Sequence, residues 1–431
     1  MVDYQRLKNQ IKGEVLNKRF DRGRYATDAS IYQIMPQAVL IPKTWEDVEA
    51  ALDFAKTEGI ALLPRGGGTS QSGQTVNNAL VVDFTQHLNK VISYDPEAGM
   101  ATVQPGLVLD NLNRQLKSDG WWYPVDVSTS SRATIGGMTA NNSCGSRSIR
   151  YGKMQDNVMG LEAMLVDGTL RQFGHADNNQ SLDADMMALA MREQDEITSR
   201  FPNVQRRVGG YNIDALLGDQ PNMAELLVGS EGTLAITKSI DLKLSPLLKN
   251  KTLGVCHFPT FHAAMDAAQH IVKLGPVAVE LVDHNMIRLG RDIPQFRPIV
   301  DSFVRGNPEA LLLVEFAETP DENRRRLTAL GELMADLGFH WNDAGKAEGG
   351  VVEAEDPQFQ ARIWGVRTQG LNIMMSMRSE GKPVSFVEDC AVPLEHLADF
   401  TGRLTDVFRK HGTDGTWYAH ALWGYCMSGL C

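Results

Sequence analysis

One stretch constrains this chain more than any other: Pro64-Arg65-Gly66-Gly67-Gly68-Thr69-Ser70-Gln71-Ser72-Gly73-Gln74, set between an apolar run at 60–63 and a second at 80–84. Ahead of it lies a helix pattern. Thr44 with Asp47 makes a capping-box-like start, Val48, Leu52 and Ala55 share one face, and Gly59 ends the run. Helix, short strand, glycine loop and strand in that order is α/β organisation, in which loops deliver backbone groups to a ligand. Three consecutive glycines leave no Cβ between backbone and ligand, so successive N–H groups can converge on one anion, with Thr69 and Ser70 adding hydroxyls. A plain turn needs only one or two glycines. The spacing from Gly68 to Gly73 matches a Walker A loop, but Gln74 stands where that loop needs its lysine, which argues against ATP hydrolysis. A dinucleotide fingerprint is also missing, since four residues separate Gly68 from the next glycine.

Two further motifs follow. Ser128-Thr129-Ser130-Ser131-Arg132-Ala133-Thr134-Ile135-Gly136-Gly137-Met138 runs on through Asn141-Asn142-Ser143-Cys144-Gly145 to Tyr151-Gly152. Small residues and amides at this density let a flat ligand approach the main chain, and Ile135, Met138 and Tyr151 argue against a disordered linker. The third motif is Leu226-Leu227-Val228-Gly229-Ser230-Glu231-Gly232-Thr233-Leu234-Ala235-Ile236, which taken alone reads as a hairpin whose strand breaks at a glycine turn and resumes.

With 431 residues, 43% of them hydrophobic and 22% charged, the chain has enough apolar material for two or three domains. Segment 30–42 reads as a strand, residues 95–100 as the turn of a hairpin, and 107–118 as a helix. From about 249 the order changes to strand (252–258), helix from Thr260, strands (278–282 and 311–316), helix from Asp321, and a last strand near Phe339, which is the split βαβ order of a ferredoxin-like domain. The boundary is placed at 246–251. A net charge of −11 argues against nucleic acid as a partner. Five scattered cysteines, no apolar leader and no stretch fit to span a bilayer predict a cytoplasmic protein without a transmembrane segment.

Together the three motifs resemble the FAD-linked oxidase family with the p-cresol methylhydroxylase/vanillyl-alcohol oxidase fold: its P-x-G-G-G-T-S, its S-T…I-G-G…A-N-x-x-G and its G-S-E-G-T-L, in the same order. The branch it resembles most is that of D-2-hydroxy acid dehydrogenases, among them D-lactate and D-2-hydroxyglutarate dehydrogenases. The resemblance implies an α+β fold in which a PCMH-type FAD-binding domain of two α/β subdomains is followed by a ferredoxin-like cap. The expected spans are an N-terminal helical extension at 1–29, the FAD domain at 30–248, the cap at 249–421 and a tail at 422–431. It implies an FAD-dependent oxidation of a small D-2-hydroxy acid by hydride transfer to flavin N5, with an unknown electron acceptor. An oxidase of another alcohol, or a flavin-binding remnant without activity, is the alternative.

By the same resemblance, Pro64, Arg65, Gly66, Gly67, Gly68, Thr69, Ser70, Gly73 and Gln74 hold the FAD pyrophosphate, largely through their main chain. Ser130, Thr134, Gly136, Gly137, Asn141, Ser143 and Gly145 line the flavin, and Gly229, Ser230, Glu231, Gly232 and Thr233 with Ile236 take the adenosine side. Attachment is non-covalent, because the loop lacks the histidine that tethers flavin in some members. Arg362-Ile363-Trp364-Gly365-Val366-Arg367 resembles a substrate element, with Arg367 as the carboxylate ligand; an exposed helix arginine is the other reading. Glu388 and Asp389, in Val387-Glu388-Asp389-Cys390-Ala391-Val392-Pro393, match a segment over the substrate pocket or form an ordinary loop.

His420, in Tyr418-Ala419-His420-Ala421, falls where family members carry a metal-binding histidine, so zinc is expected in an intact form. After it, Leu422 to Cys431 matches nothing in the family. Read one nucleotide earlier, the possible codons of that stretch permit the family's G-x-L-H-x-R-P. The expectation is therefore a frameshifted, truncated cap with a lone histidine and impaired turnover.

Overall fold

The computed structural model describes residues 2–177, 179–204, 206–341, 349–370, 384–385, 390–413, 415–420 and 425–430. The chain forms two compact units, Met1–Pro202 with Val208–Leu247, and Asn203–Arg207 with Leu248–Cys431.

In the first unit, β1 (Glu14–Leu16), β2 (Ala38–Ile41), β3 (Leu62–Arg65) and β4 (Leu80–Asp83) make a sheet in the order β1-β2-β4-β3. The strands β2, β4 and β3 run parallel and β1 is antiparallel to β2. Every residue of β2 and β4 is buried, as parallel strands covered on both faces require. The helix Trp45–Glu58 makes the crossover from β2 to β3 and ends at Gly59 in the left-handed conformation, with φ 64°. Its entry is fixed by the buried Asp47 carboxylate, which accepts the main-chain N–H groups of Lys12, Lys43 and Thr44 at 2.7, 2.7 and 3.2 Å. Because β1 pairs along β2, residues 1–29 are not the helical extension expected from sequence. The strand expected at 30–42 is confined to Ala38–Ile41.

An antiparallel sheet follows, built from β5 (Val91–Asp95), β6 (Met100–Val103), β8 (Val158–Met164), β9 (Leu170–Phe173) and β10 (Ile236–Lys243) in the order β5-β6-β10-β8-β9. A short ribbon pairs β7 (Trp121–Trp122) with β11 (Ser245–Pro246). The buried face holds Val103, Leu112, Leu116, Tyr123, Leu161, Ile240 and Leu242. The expected hairpin at Leu226–Ile236 does not form. Residues Ala224–Leu227 are a single helical turn, and the only strand is β10, because two leucines are too short a run to carry a period.

The second unit is an antiparallel sheet of β12 (Thr252–Phe258), β13 (Ala278–Asp283), β14 (Ala310–Phe316) and β15 (Gly350–Ala354) in the order β15-β12-β14-β13. That is the ferredoxin-like order, with the first and second strands parallel to one another on either side of the third. The sheet continues through β18 (Gly415–His420), β19 (Tyr425–Leu430) and β16 (Val384–Ser385), and β17 (Cys390–Ala391) pairs on β19. The helices Phe261–Ile271 and Pro320–Asp336 pack on one face. There Gly254 leaves room for Leu330, whose Cδ2 would lie 2.6 Å from an added Cβ. The other face carries Leu253, Val255, Val282, Leu311 and Leu313 against Ile287, Phe303, Ile363 and Val366. The last ferredoxin-like strand is Gly350–Ala354 rather than a strand near Phe339. Phe339 lies just beyond the C-terminus of the helix Pro320–Asp336 and stacks edge-on against Phe258 at 5.1 Å. Among the described residues no helix is long and apolar enough to cross a membrane.

Candidate functional site

The glycine stretch leaves β3 at the carboxyl end of the parallel strands, the side on which open α/β sheets bind their ligands. It borders a cavity of about 190 Å³ within the first unit. Among the described residues, the main-chain N–H groups of Gly66, Gly67, Gly68, Thr69 and Ser70 find no acceptor in the protein. Gly67 is exposed and the other four residues are half-buried, so these N–H groups are open to solvent or a ligand, and five consecutive open donors beside a cavity have the make-up of an anion cradle. Gly68 takes φ 64°, whereas Gly66 and Gly67 lie outside the left-handed region. Those two are glycine for another reason. A Cβ on Gly66 would stand 2.2 Å from Thr134 Oγ1, and one on Gly67 would stand 2.3 Å from the Arg132 carbonyl oxygen. The first two motifs are therefore interleaved, and the obstruction to a side chain at 67 comes from the protein itself.

Thr134 caps the helix Ile135–Ala140, its Oγ1 accepting Gly137 N–H at 3.3 Å. Gly136 lies against Pro105, with its N–H on the Pro105 carbonyl at 2.8 Å, so its missing side chain serves the wall rather than a ligand bond. Ser143 Oγ donates to Asn141 Oδ1 at 2.6 Å. The third motif docks on this helix through Gly229 N–H to Thr139 O and Glu231 N–H to Ala140 O, both 2.9 Å. That tight turn needs Gly229, Glu231 and Gly232 at φ 84°, 55° and 71°, a conformation a non-glycine residue adopts only when its surroundings impose it. Burial raises the Glu231 carboxyl above its usual range, opposed by a 3.4 Å bond from Gln74 Nε2. Gln74 Oε1 in turn accepts from Ser70 Oγ, so a polar chain closes the first loop onto the third.

The cavity brings together Pro64, Arg65, Gly66, Gly67, Gly68, Thr69, Ser70 and Gln74 with Thr134, Gly136, Gly137, Asn141 and Ser143, and with Ser230, Glu231 and Gly232. Gly73, Ser130, Gly145, Gly229, Thr233 and Ile236 do not line it. Gly145 is packed on Asp126, with its N–H on Ser148 Oγ at 2.8 Å, Gly73 lies under the Tyr32 ring, and Ile236 is buried in the core. Sequence reading missed the apolar wall formed by Leu63, Phe84, Pro105, Val127, Met138 and Ala235. Leu63, Phe84, Pro105 and Val127 belong to none of the three motifs, and Met138 and Ala235 stand inside the second and third without having been assigned to the site. Thr129, inside the second motif, is a further lining residue that was not assigned.

In the second unit Arg367 ends the helix Pro357–Thr368 and is not an exposed helix arginine. Its side chain is 14% accessible, and Nη2 donates at 2.8 Å to Oε2 of Glu280 on β13, which is 2% accessible. Asp283, also buried, caps the next helix by accepting Met286 N–H at 2.9 Å and holds β18 by accepting Trp417 N–H at 3.1 Å. Glu388, Asp389 and the His420 side chain lie outside the described residues; the His420 backbone pairs with Glu280 across β13 and β18. Among the described residues no cluster of metal-binding side chains occurs, so zinc has no support there.

Comparison with known proteins agrees with this geometry. The FAD binding domain matches residues 36–174, and the C-terminal domain of FAD linked oxidases matches 247–427. The chain is 30% identical over 433 residues to a D-2-hydroxyglutarate dehydrogenase of Pantoea ananatis, covering 95% of this chain but 42% of that one. It is 26% identical over 408 residues to glycolate oxidase subunit GlcD of Bacillus subtilis, covering 92% of this chain and 73% of that one. Among solved structures, an alkyldihydroxyacetonephosphate synthase superposes with TM-score 0.70 at 18% identity over 99% of this chain and 79% of that one. p-Cresol methylhydroxylase with substrate bound superposes with TM-score 0.68 at 14% identity over 99% and 80%. The C-terminal match runs through residue 427, and residues 425–430 form β19 in register with β18. The C-terminal domain is therefore present, and the truncation expected from sequence finds no support. With both of its domains matched and its fold shared by their solved relatives, the chain belongs to the FAD-linked oxidases.

Proposed function

We propose that this chain binds FAD without a covalent tether and, as part of an oxidoreductase, oxidises a small D-2-hydroxy acid such as D-2-hydroxyglutarate or D-lactate. The observation that carries the reading is the run of five open N–H donors from Gly66 to Ser70, which fits the doubly charged pyrophosphate of FAD and lacks the lysine an ATPase needs. When bound, FAD supplies the hydride acceptor, its N5 taking the hydrogen of the substrate C2. The chain's own part is positioning. Residues 66–70 neutralise the pyrophosphate with main-chain dipoles, and the small residues 136, 137, 141 and 143 admit a flat ring. In the second unit, taken from residue 249 as the cap, Arg367 would take the substrate carboxylate and Glu388 and Asp389 would lie over the substrate pocket, with His420 as a candidate metal ligand. Residues 30–248 serve as the cofactor domain, and a cytoplasmic setting goes with this reading.

The chain spans 42% of the dehydrogenase from Pantoea ananatis, and the substrate assignment draws on that relative's printed activity. The test is a visible spectrum of the purified chain, mass spectrometry of the ligand released on denaturation, and anaerobic addition of D-2-hydroxy acids. Release of FAD and bleaching by one of these acids is expected. Recovery of NAD or ATP would refute cofactor and function together. A yellow protein that no acid bleaches would mark a flavin carrier, and hydrogen peroxide formed from another alcohol would mark an oxidase.

A further inference from the structure

Arg65 precedes the open donors, and its guanidinium is bonded to three main-chain carbonyls beside them. Nη1 donates to the carbonyls of Tyr25 and Thr75, both at 3.0 Å, and Nη2 donates to the carbonyl of Thr27 at 2.8 Å. A planar fork with five donors can hold carbonyls from two separate segments at once, which a lysine ammonium cannot do in that geometry. The segment it holds, residues 25–33, is closed on itself by a Thr27–Gln33 bridge and an Ile34 N–H to Ala26 O bond of 2.9 Å. It is tied down twice more. Tyr25 Oη donates to the buried Asp83 at 2.7 Å, and Thr75 Oγ1 donates to Asp28 Oδ2 at 2.8 Å. Its decisive bond runs from Ala29 N–H to the carbonyl of Gly68 at 3.1 Å. In a trans peptide the C=O and the following N–H point in opposite directions, so holding the Gly68 carbonyl toward the segment turns the Thr69 N–H away from it, toward the cavity that Thr69 lines.

From this juxtaposition we infer that residues 25–33 form a strap that sets the phosphate loop, with Arg65 as a positioning residue for the pyrophosphate of FAD rather than one of its ligands. The inference rests on the FAD reading above. The strap lies ahead of residue 36, where the match to the FAD binding domain begins, so it is not part of the matched element. Because the strap and the anion bias the same peptide, each stabilises the other's arrangement.

The test uses the full chain stripped of flavin, titrated with FAD by flavin fluorescence quenching and followed by hydrogen exchange at residues 25–33 and 66–70. In the wild type, FAD should slow exchange across 25–33. Arg65→Lys should release that segment in the apoprotein and raise the FAD Kd at least tenfold, while the melting temperature of the apoprotein falls by only a few degrees. Tyr25→Phe, which cuts the Asp83 tie and leaves the loop's own atoms in place, should raise Kd about threefold and serves if Arg65→Lys does not fold. A Kd within twofold of wild type in the folded variants, or no FAD-dependent protection at 25–33 in a wild type that binds FAD, would overturn the strap. Failure of the wild type to take up FAD would instead overturn the cofactor reading on which the strap depends.

Discussion

The two units treat their polar groups in opposite ways. Around the glycine loop of the first unit, five main-chain donors border a cavity with no acceptor among the described residues. In the sheet of the second unit the charged groups are buried and answered from within: Arg367 by Glu280, and Asp283 by the amides of Met286 and Trp417. Open donors announce a ligand by what they lack, whereas a buried ion pair already has its partner. The cofactor assignment therefore stands on geometry, and the substrate role of Arg367 requires it to serve a second carboxylate beside Glu280.

The largest expected effect tests the first half of that contrast. Gly67→Val would drive a branched side chain into the Arg132 carbonyl, which an added Cβ already meets at 2.3 Å, and should abolish flavin content. Gly209→Ala, where an added Cβ meets nothing within 4 Å, should leave flavin content unchanged. Mass spectrometry of released ligand compares the two, and normal FAD in the valine variant would remove the glycine loop from the site.

The second half is broken by Arg367→Met. Stranding the buried Glu280 carboxylate should cost about 3–5 kcal/mol of unfolding free energy, most of it recovered by adding Glu280→Leu. Chemical denaturation measures both. Arg367→Lys keeps a cation opposite Glu280 but loses the fork. A raised KM for a 2-hydroxy acid at unchanged flavin content would place the substrate carboxylate on Arg367, and unchanged kinetics would leave the residue to its structural pair.

Legibility followed the same divide. The glycine loop, the preceding helix and the ferredoxin-like order could be read because each is written in local residue patterns, as in Gly59 ending its helix or the short, wholly buried run of β12. What could not be read depends on distant residues. The strap joins Arg65 to a carbonyl 40 positions away, and the Arg367–Glu280 pair spans 87. Leu226–Leu227 failed for a simpler reason, since two apolar residues fit a helical turn as well as a strand. The strand after His420 left no motif to read, because pairing of β19 with β18 depends on backbone register.

A pH series sharpens the account of the second unit. Burial pushes Asp283 up from 3.8 to about 6, so as pH falls through 6 the folded protein takes up a proton before the unfolded chain does, and stability rises. Burial also pulls His257 down from 6.5 to about 4. Over the same fall in pH the unfolded chain binds that proton first, and stability drops. The two contributions oppose each other between about pH 6 and 4. Asp283→Asn removes the compensating one, so from pH 7 to pH 4 the variant should lose more stability than wild type, by on the order of 1–3 kcal/mol. Parallel denaturation midpoints across that range would show that ionised Asp283 is not penalised by its burial.

The smallest effect makes the same chemical change in each unit. Thr134 and Thr260 both cap helices, accepting the N–H of Gly137 at 3.3 Å and of Ala263 at 3.1 Å. Each Thr→Ala change should lower stability by about 1 kcal/mol, the usual value of an N-cap. Only Thr134 also stands against Gly66, where its Oγ1 fills the space an added Cβ would need, so its removal slackens the seat of the first open donor. Thr134→Ala should therefore weaken FAD binding about fivefold, equivalent to roughly 1 kcal/mol, while Thr260→Ala leaves the FAD Kd unchanged. Equal Kd values in the two variants would mean that the cavity wall tolerates the loss of Thr134. The contrast between a ligand-facing unit and an internally satisfied one would then hold for the glycine loop alone.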